Sequence, residues 1–495
     1  MATGALGPSS EAHGLDAARR PRIVIVGAGI TGLAAALRIA DAEGIELVVC
    51  EVEPRAGGVM RTERTDEYLL EAGPDSFLTE KPDALRLCER LGLAGRLIGI
   101  REGAARAYVV RRGRLVPIPD GFRLIAPTRV LPWLRSPLFS WPGKLRMALD
   151  YVLPRGRAVP DESVASFVTR RLGREAFDRV AEPMIGTIYT ADTARLSLAA
   201  TMPRLLELER RYGSVTRGLL RARAAGAGKT AARGRPLGLF AAPADGMQAL
   251  ADAAAARLPA GVLRLGTSIT SVARRRSGTY YLGLAEGGGL EADGVIIATG
   301  AAVAARLLAG LDEALASRLG RISYASSASV TLAYRRSEIA HPLDGFGFIM
   351  PRLERRPILA ASFSSVKFAG RAPADRVLIR VFLGGALAPE IVDLDDARLL
   401  ATVRGEMTSL LGVAGTPHLV RVLRHRDAMP QYLVGHLERV AEIEAGVAAH
   451  PGMALAGAAY RGVGVPDCIR SGEMAAERVL AHILSGRVER SGVPR

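Results

Sequence analysis

The chain has 495 residues, 49% hydrophobic and 23% charged, enough for about two to four folding units or one large discontinuous enzyme, and too apolar for wholesale disorder. Its formal net charge is +16, and only four of its 66 basic residues are lysines (Lys81, Lys144, Lys229, Lys367). A codon-composition habit or an anionic partner would each produce that skew, but no basic patch interleaves with aromatics, so a nucleic-acid binder is excluded. Three cysteines (Cys50, Cys88, Cys468) without a C-x-x-C exclude a disulfide framework, a zinc site and a dithiol pair, and no apolar run reaches the ~20 residues of a bilayer span. A cytoplasmic protein is expected.

Residues 1–21 lack an apolar signal core and read as a flexible tail. Arg22-Ile23-Val24-Ile25-Val26 is a β-branched run suited to a strand buried on both faces. It leads into Gly27-Ala28-Gly29-Ile30-Thr31-Gly32, a G-x-G-x-x-G, and then into a helical run from Leu33. In such a turn Gly27 permits the tight bend, Gly29 admits a pyrophosphate and Gly32 lets helix and strand pack closely. A second strand, Ile45 to Cys50, ends in Glu51, nineteen positions after Gly32, where a carboxylate accepts hydrogen bonds from ribose hydroxyls. Arg55-Ala56-Gly57-Gly58 follows, a paired glycine with an arginine suited to neutralising phosphate, which a simple NAD dehydrogenase has no reason to place there.

Leu124 to Leu153 holds both tryptophans, Trp133 and Trp141, among leucines and arginines. That composition suits either a peripheral membrane contact through 124–153 or a domain core, and four prolines interrupt any continuous amphipathic helix. Gly226-Ala227-Gly228-Lys229-Thr230 imitates a phosphate loop but has Arg223 where the first glycine belongs, so 213–236 is expected to be a low-complexity surface loop. Asp293 to Gly300 reads as a strand ending in small residues; Ser329 to Tyr334 and Val377 to Phe382 read as antiparallel strands. Near the C-terminus a strand from Met453 meets Arg461-Gly462-Val463-Gly464-Val465-Pro466-Asp467-Cys468 and a helix whose positive end suits negative charge on a bound group. No second complete G-x-G-x-x-G is present, which favours an oxidase over a pyridine-nucleotide reductase.

Further motifs are Glu71-Ala72-Gly73-Pro74-Asp75-Ser76-Phe77-Leu78, Pro183 to Asp192, Leu343 to Pro351, Phe363-Ser364-Ser365, and Met429-Pro430-Gln431-Tyr432-Leu433-Val434-Gly435-His436. Together with the double-glycine loop and the closing Gly-Val-Gly-Val-Pro-Asp-Cys-Ile, the chain from about Arg22 to Ile483 resembles the oxygen-dependent protoporphyrinogen/coproporphyrinogen oxidase family of haem biosynthesis, within the flavin amine-oxidase superfamily and closest to its bacterial soluble branch. The resemblance implies an α/β (α+β overall) fold. Its parts are a Rossmann-like discontinuous FAD-binding domain (22–86, 237–312 and 441–485), a helical subdomain (87–212) and a mixed-sheet substrate domain (313–440). It implies FAD contacts at Gly27, Ala28, Gly29, Ile30, Thr31, Gly32, Glu51, Arg55, Gly57, Gly58, Gly73, Pro74, Asp75, Ser76, Ile269, His425, Gly464 and Val465. Ile349 and Phe363 are the candidates for touching a macrocycle. No catalytic residue is assigned and no metal is expected.

The implied reaction takes six electrons from a porphyrinogen in three flavin turnovers, with molecular oxygen as acceptor and hydrogen peroxide as product, in a monomer or homodimer. Coproporphyrinogen III and protoporphyrinogen IX both remain open as substrate. Three departures from the family pattern stand out: Thr190-Ala191-Asp192-Thr193 for A-G-D-P, Leu78 near a basic propionate anchor, and His425 for Trp. The alternatives are a flavin amine oxidase, whose usual site lysine is not evident among the four present, and a non-catalytic flavin- or porphyrin-binding protein.

Overall fold

Short β-branched runs scattered over more than 400 residues meet in one parallel sheet. The computed structural model describes residues 19–123, 125–156, 159–226 and 237–491. In it, five strands lie in the order Leu263–Arg264, Glu46–Cys50, Arg22–Val26, Gly294–Ile297 and Met453–Leu455, all paired in parallel. A parallel sheet must be covered on both faces. Here the helices Ile30–Ala40, Gln248–Ala256 and Val465–Ser491 cover one face, while Ala301–Leu308, Glu313–Gly320 and His436–Ala448 share the core on the other.

Of the expected tail, residues 1–18 lie outside the described residues, and the rest is held. Arg19 pairs with Asp293 at 3.0 Å, and the Pro21 carbonyl accepts the Glu46 N–H at 2.9 Å.

A second sheet has seven strands: Leu419–Pro430, Tyr324–Arg335, Arg376–Gly384, Ile358–Ser362, Gly347–Ile349, Ala107–Arg111 and Arg114–Pro117. Its pairings are antiparallel except that Gly347–Ile349 runs parallel to Ala107–Arg111. The Ala107–Arg111/Arg114–Pro117 hairpin therefore belongs to this sheet, although it falls inside the span assigned to the helical subdomain. Side chains of period two divide the sheet. Val330, Leu332, Phe348 and Ile379 pack under the helix Asp396–Leu411, whereas Val109 and Ile349 turn toward the helical unit.

The helical unit is built from Val130–Arg135, Trp141–Ala148, Val164–Leu172, Glu182–Tyr189, Pro203–Tyr212 and Val215–Gly226. The last of these corrects the loop expected at 213–236 over 215–226, while 227–236 lie outside the described residues. Val215 and Leu219, one helical turn apart, are buried, and the Ser214 hydroxyl accepts the Arg217 N–H at 3.0 Å, so this stretch has both an apolar face and a cap. Gly228, Lys229 and Thr230 of the false phosphate loop lie outside the described residues. At the centre of the unit Arg171, 1% exposed, donates through Nε to Asp150 Oδ1 at 2.7 Å. The other oxygen of that carboxylate accepts the Ser214 hydroxyl at 2.7 Å and the Thr216 N–H at 2.8 Å. No helix among the described residues is long and apolar enough to cross a membrane.

Candidate active site

The glycine turn forms as its spacing predicts. Gly27 has φ +101°, a conformation that a side chain would strain, and a Cβ at Gly32 would collide with the Gly27 carbonyl oxygen. Gly29 serves as N-cap of the helix Ile30–Ala40 with no side chain closing the first turn. A Cβ on Gly29 would meet no protein atom within 4 Å. An open cradle therefore faces uncapped helix amides, which is the geometry that accepts a pyrophosphate.

Glu51 is buried at the end of the second strand. Its carboxylate accepts the Ala28 N–H at 2.7 Å and the Glu53 N–H at 3.0 Å, so it also braces the turn. The Glu51 carbonyl accepts the Thr267 N–H at 2.8 Å, and Ile269, two residues on, shares a core with Cys50.

Arg55 does something other than the phosphate neutralisation its type suggests. Nη2 donates to the Gly58 carbonyl at 2.6 Å, and Nη1 to the carbonyls of Ala56 and Met60 at 3.1 and 3.2 Å and to Gln248 Oε1 at 3.2 Å. It clamps the double-glycine loop. That clamp matters because Gly57 and Gly58 have φ +108° and +56°, and a Cβ on Gly58 would come within 3.2 Å of Gly29 Cα.

Gly73 in turn packs so closely on Val59 that a Cβ would collide with its carbonyl. The Gly73–Ser76 segment thus lies directly on the loop that touches the turn. Asp75 accepts Lys367 Nζ at 2.9 Å on both oxygens, and Lys367 also reaches the Ser76 hydroxyl at 3.2 Å. Against a burial cost that alone would raise it, Lys367 and the Ser76 hydroxyl hold Asp75 below the ordinary carboxylate value. Pro74 rides in the same segment.

The C-terminal glycines converge on this place. A Cβ on Gly472 would collide with the Thr31 carbonyl, Gly457 lies by Thr299 and Thr31, and the Gly457 N–H donates to the Ser471 hydroxyl at 3.0 Å. Gly464 and Val465 open the C-terminal helix, anchored by a 2.5 Å ion pair between Lys81 and the buried Asp467. Cys468 is buried, and burial pushes its thiol up to about 12, so it packs rather than attacks.

Tyr432, quoted above only as part of a motif, fixes the approach to Gly464. Its hydroxyl donates to the Ala458 carbonyl at 2.6 Å and accepts the Gly462 N–H at 2.8 Å. The His436 ring stacks on it at 4.0 Å and bonds the Tyr460 carbonyl at 2.8 Å, and burial drives His436 down to about 4.

His425 lies on the edge strand Leu419–Pro430, hydrogen-bonded to the Ala72 main chain. Burial, with Arg380 beside it, holds its imidazole below the ordinary value against that bond. Ile349 is half-buried on the face turned to the helical unit. Phe363 is not placed to touch a ligand. It is 0% exposed, its ring against Phe348 and His341 in the core on the sheet's other side. Leu78 pairs with Phe240 in a small sheet, and Thr190 takes a left-handed C-cap (φ +46°) whose carbonyl accepts the Ala386 N–H at 2.8 Å. Leu78 and Thr190 therefore have structural work where the family pattern differs.

The sequence reading missed a buried charged cluster beneath Gly73: Glu71, Lys367, Arg371 and Arg380, with Asp75 at its edge. One signal was visible, a lone arginine in the otherwise apolar run Val377 to Phe382. Lys367, the lysine beside the Phe363-Ser364-Ser365 motif, reaches the candidate site, but its ammonium is tied to Asp75.

Residues 30–480 match the flavin containing amine oxidoreductases. The coproporphyrinogen III oxidase of Bacillus subtilis is 33% identical over 94% of this chain and 99% of its own length. That of Propionibacterium freudenreichii is 37% identical over 96% and 94%. A solved chain from Exiguobacterium sp., provisionally described as a protoporphyrinogen oxidase, superposes with a TM-score of 0.81 at 29% identity, covering 92% of this chain and 98% of its own. The chain belongs to the flavin-containing amine oxidoreductases, in their porphyrinogen-oxidase branch. It is an oxidoreductase, its cofactor is FAD, and its α/β fold combines a discontinuous FAD-binding domain with a mixed-sheet domain and a helical unit. A putrescine oxidase superposes at a TM-score of 0.65 with 17% identity, a likeness of fold alone.

Proposed function

We propose that this flavoprotein oxidises coproporphyrinogen III to coproporphyrin III in haem biosynthesis. The observation that carries the reading is that the Bacillus, Propionibacterium and Staphylococcus aureus proteins it matches at 31–37% identity, each over 93–96% of this chain, are all coproporphyrinogen III oxidases. FAD held here would supply a two-electron acceptor that oxygen reoxidises, so the loss of six electrons and six protons would take three rounds and yield three hydrogen peroxide.

The chain's part is to bind and orient. Gly27 to Gly32 and the amides of the following helix hold the pyrophosphate, Glu51 the ribose and Ile269 the adenine edge. Gly57, Gly58, Gly73 to Ser76, His425, Gly464 and Val465 surround the ring, with Arg55 keeping the loop in shape. The macrocycle lies on the Ile349 side of the mixed sheet, against the helical unit, where a large apolar disc excludes water and the protein orients it.

The test uses purified protein with stoichiometric FAD and freshly reduced coproporphyrinogen III. Porphyrin fluorescence should appear with three oxygen consumed per porphyrin. Faster turnover of protoporphyrinogen IX would reassign the substrate, and oxygen uptake with putrescine but not porphyrinogens would defeat the reading. Flavin that stays oxidised with every substrate would leave a binding protein.

The surface of the helical unit supports a peripheral membrane contact for this cytoplasmic enzyme. Trp141 and Leu145 are 70% and 68% exposed, with Val130 and Leu131 also outward and Arg129 and Arg135 flanking. Co-sedimentation with anionic vesicles that weakens in Trp141→Ser/Leu145→Ser is the expected result; equal sedimentation of both proteins would remove this contact.

A further inference from the structure

We propose that Arg380 is a positioning residue for bound FAD, a fixed and unbalanced positive charge that grips the Ala72–Gly73 main chain and makes the ring site a better electron acceptor. The inference rests on FAD binding and not on the identity of the substrate.

Arg380 sits on a central strand of the mixed sheet, opposite Thr331, and is 6% exposed. Nη1 donates to the Gly73 carbonyl at 2.6 Å, and Nη2 donates to the Ala72 carbonyl at 3.0 Å and the Ser329 hydroxyl at 3.4 Å. Its guanidinium lies over the Phe382 ring at 4.9 Å, and its buried Nε has no partner. Among the described residues no carboxylate hydrogen-bonds to it.

The charges around it do not cancel. Lys367 is matched by Asp75 at 2.9 Å, and Arg371 faces Glu71 at 3.8 Å. Arg380 is the third cation against two carboxylates, Asp75 and Glu71. His425 adds no compensation. Burial, and after it Arg380, disfavour its cationic form, and its strand neighbours Arg424 and Arg426 point away to Asp396 and Asp393.

An unmatched charge held out of water is strongly disfavoured unless a negative charge arrives. The carbonyls Arg380 grips belong to the segment that packs on Val59, one layer from the Gly58–Gly29 contact of the dinucleotide turn. Reduction of a cofactor there is where negative charge develops, and a preorganised cation stabilises it without reorganisation.

The experiment is an anaerobic, dye-coupled potential titration of full-length protein loaded with FAD, without porphyrinogen. Arg380→Met should keep stoichiometric flavin but lower the two-electron reduction constant at least tenfold, about 30 mV. Arg380→Lys, which keeps the charge, should stay within about threefold of the parent. An unchanged potential in Arg380→Met, or an equal fall in Arg380→Lys, would overturn the proposal. If Arg380→Met fails to retain FAD, Ser329→Asp sets a carboxylate against the same guanidinium; a fall is expected and no change refutes. A parent protein that takes up no FAD would instead sink the cofactor assignment, and normal potentials with no porphyrin formed would fault only the substrate.

Discussion

Gly29→Ala separates a glycine kept for the chain from one kept for a ligand. At Gly29 the backbone is ordinary (φ −64°, ψ 174°), and an added Cβ meets no protein atom within 4 Å. The protein alone has no reason to require glycine, and the substitution should leave the flavin-free protein as stable as before, or more stable by about 0.4–1 kcal/mol through its unfolded state. The same methyl group would stand where a pyrophosphate oxygen must approach the helix amides. Losing one charge-assisted hydrogen bond, at about 1.5–3 kcal/mol, should weaken FAD binding by roughly 10- to 150-fold, and losing two by more. The assay is quenching of flavin fluorescence on titrating deflavinated protein, paired with its thermal melt. Parent-like affinity would refute the phosphate cradle, and a melt lowered by many degrees would refute the claim that the position is sterically free. Gly32→Ala is the control with the opposite pattern, since its Cβ collides with Gly27 and should damage the flavin-free protein too.

Asp150→Asn leaves buried Arg171 with only Glu209, 3.5 Å away, and should cost about 3 kcal/mol in a denaturant melt. Glu444→Gln, which breaks the exposed Arg461 pair, should cost under about 1 kcal/mol. Arg55→Met removes the clamp on the double-glycine loop and should weaken FAD binding about tenfold or more, read by the same fluorescence titration. His436 is neutral and buried, down to about 4 from an ordinary 6.5. Because its folded value is depressed, its contribution is complete above 6.5 and is lost as the pH falls toward 4, amounting to about 3 kcal/mol. His436→Phe keeps a ring on Tyr432 and abolishes that titration. The difference in unfolding free energy between it and the parent should therefore change by about that amount between about pH 7 and pH 4, and a flat difference would refute the assignment.

What the sequence made legible was whatever a local rule fixes. The Gly27 to Gly32 turn, Glu51 and the paired glycines follow from strand–turn–helix chemistry over some 40 residues, and the structure places them together. The charged cluster was not legible, because Glu71, Lys367, Arg371 and Arg380 come from segments about 300 residues apart and only the sheet brings them to one floor. Arg55 misled by type: a guanidinium near a phosphate loop suggests phosphate, yet its fork fits the loop's own carbonyls better. Phe363 misled by strand composition, since residue type says that a side chain is apolar and only register says which face it takes. The helix at Val215–Gly226 was hidden by a Gly/Ala/Arg-rich sequence whose apolar face amounts to Val215 and Leu219.

The arginine excess finds a use inside the molecule. Arg146 donates to the carbonyls of Thr169, Arg170 and Arg171 at 2.8–3.2 Å, closing the end of the helix Val164–Leu172. Arg371 bridges the carbonyls of Pro243 and Ala244, Arg424 those of Val392 and Leu394, and Arg336 those of Ile339 and His341. Arg55 and Arg380 do the same at the candidate site. In each case one rigid fork ties two or more chain segments or carbonyls that diverge, a geometry that the single point of a lysine ammonium cannot span. Lys144 makes the contrast: its Nζ reaches one carbonyl, that of Leu134, at 2.7 Å. A composition biased toward arginine is thus absorbed as carbonyl clamps, and a net charge of +16 does not by itself describe a docking surface. Arg380 differs in its place: its clamp is buried beneath the double-glycine loop, where an electron acceptor can use the charge.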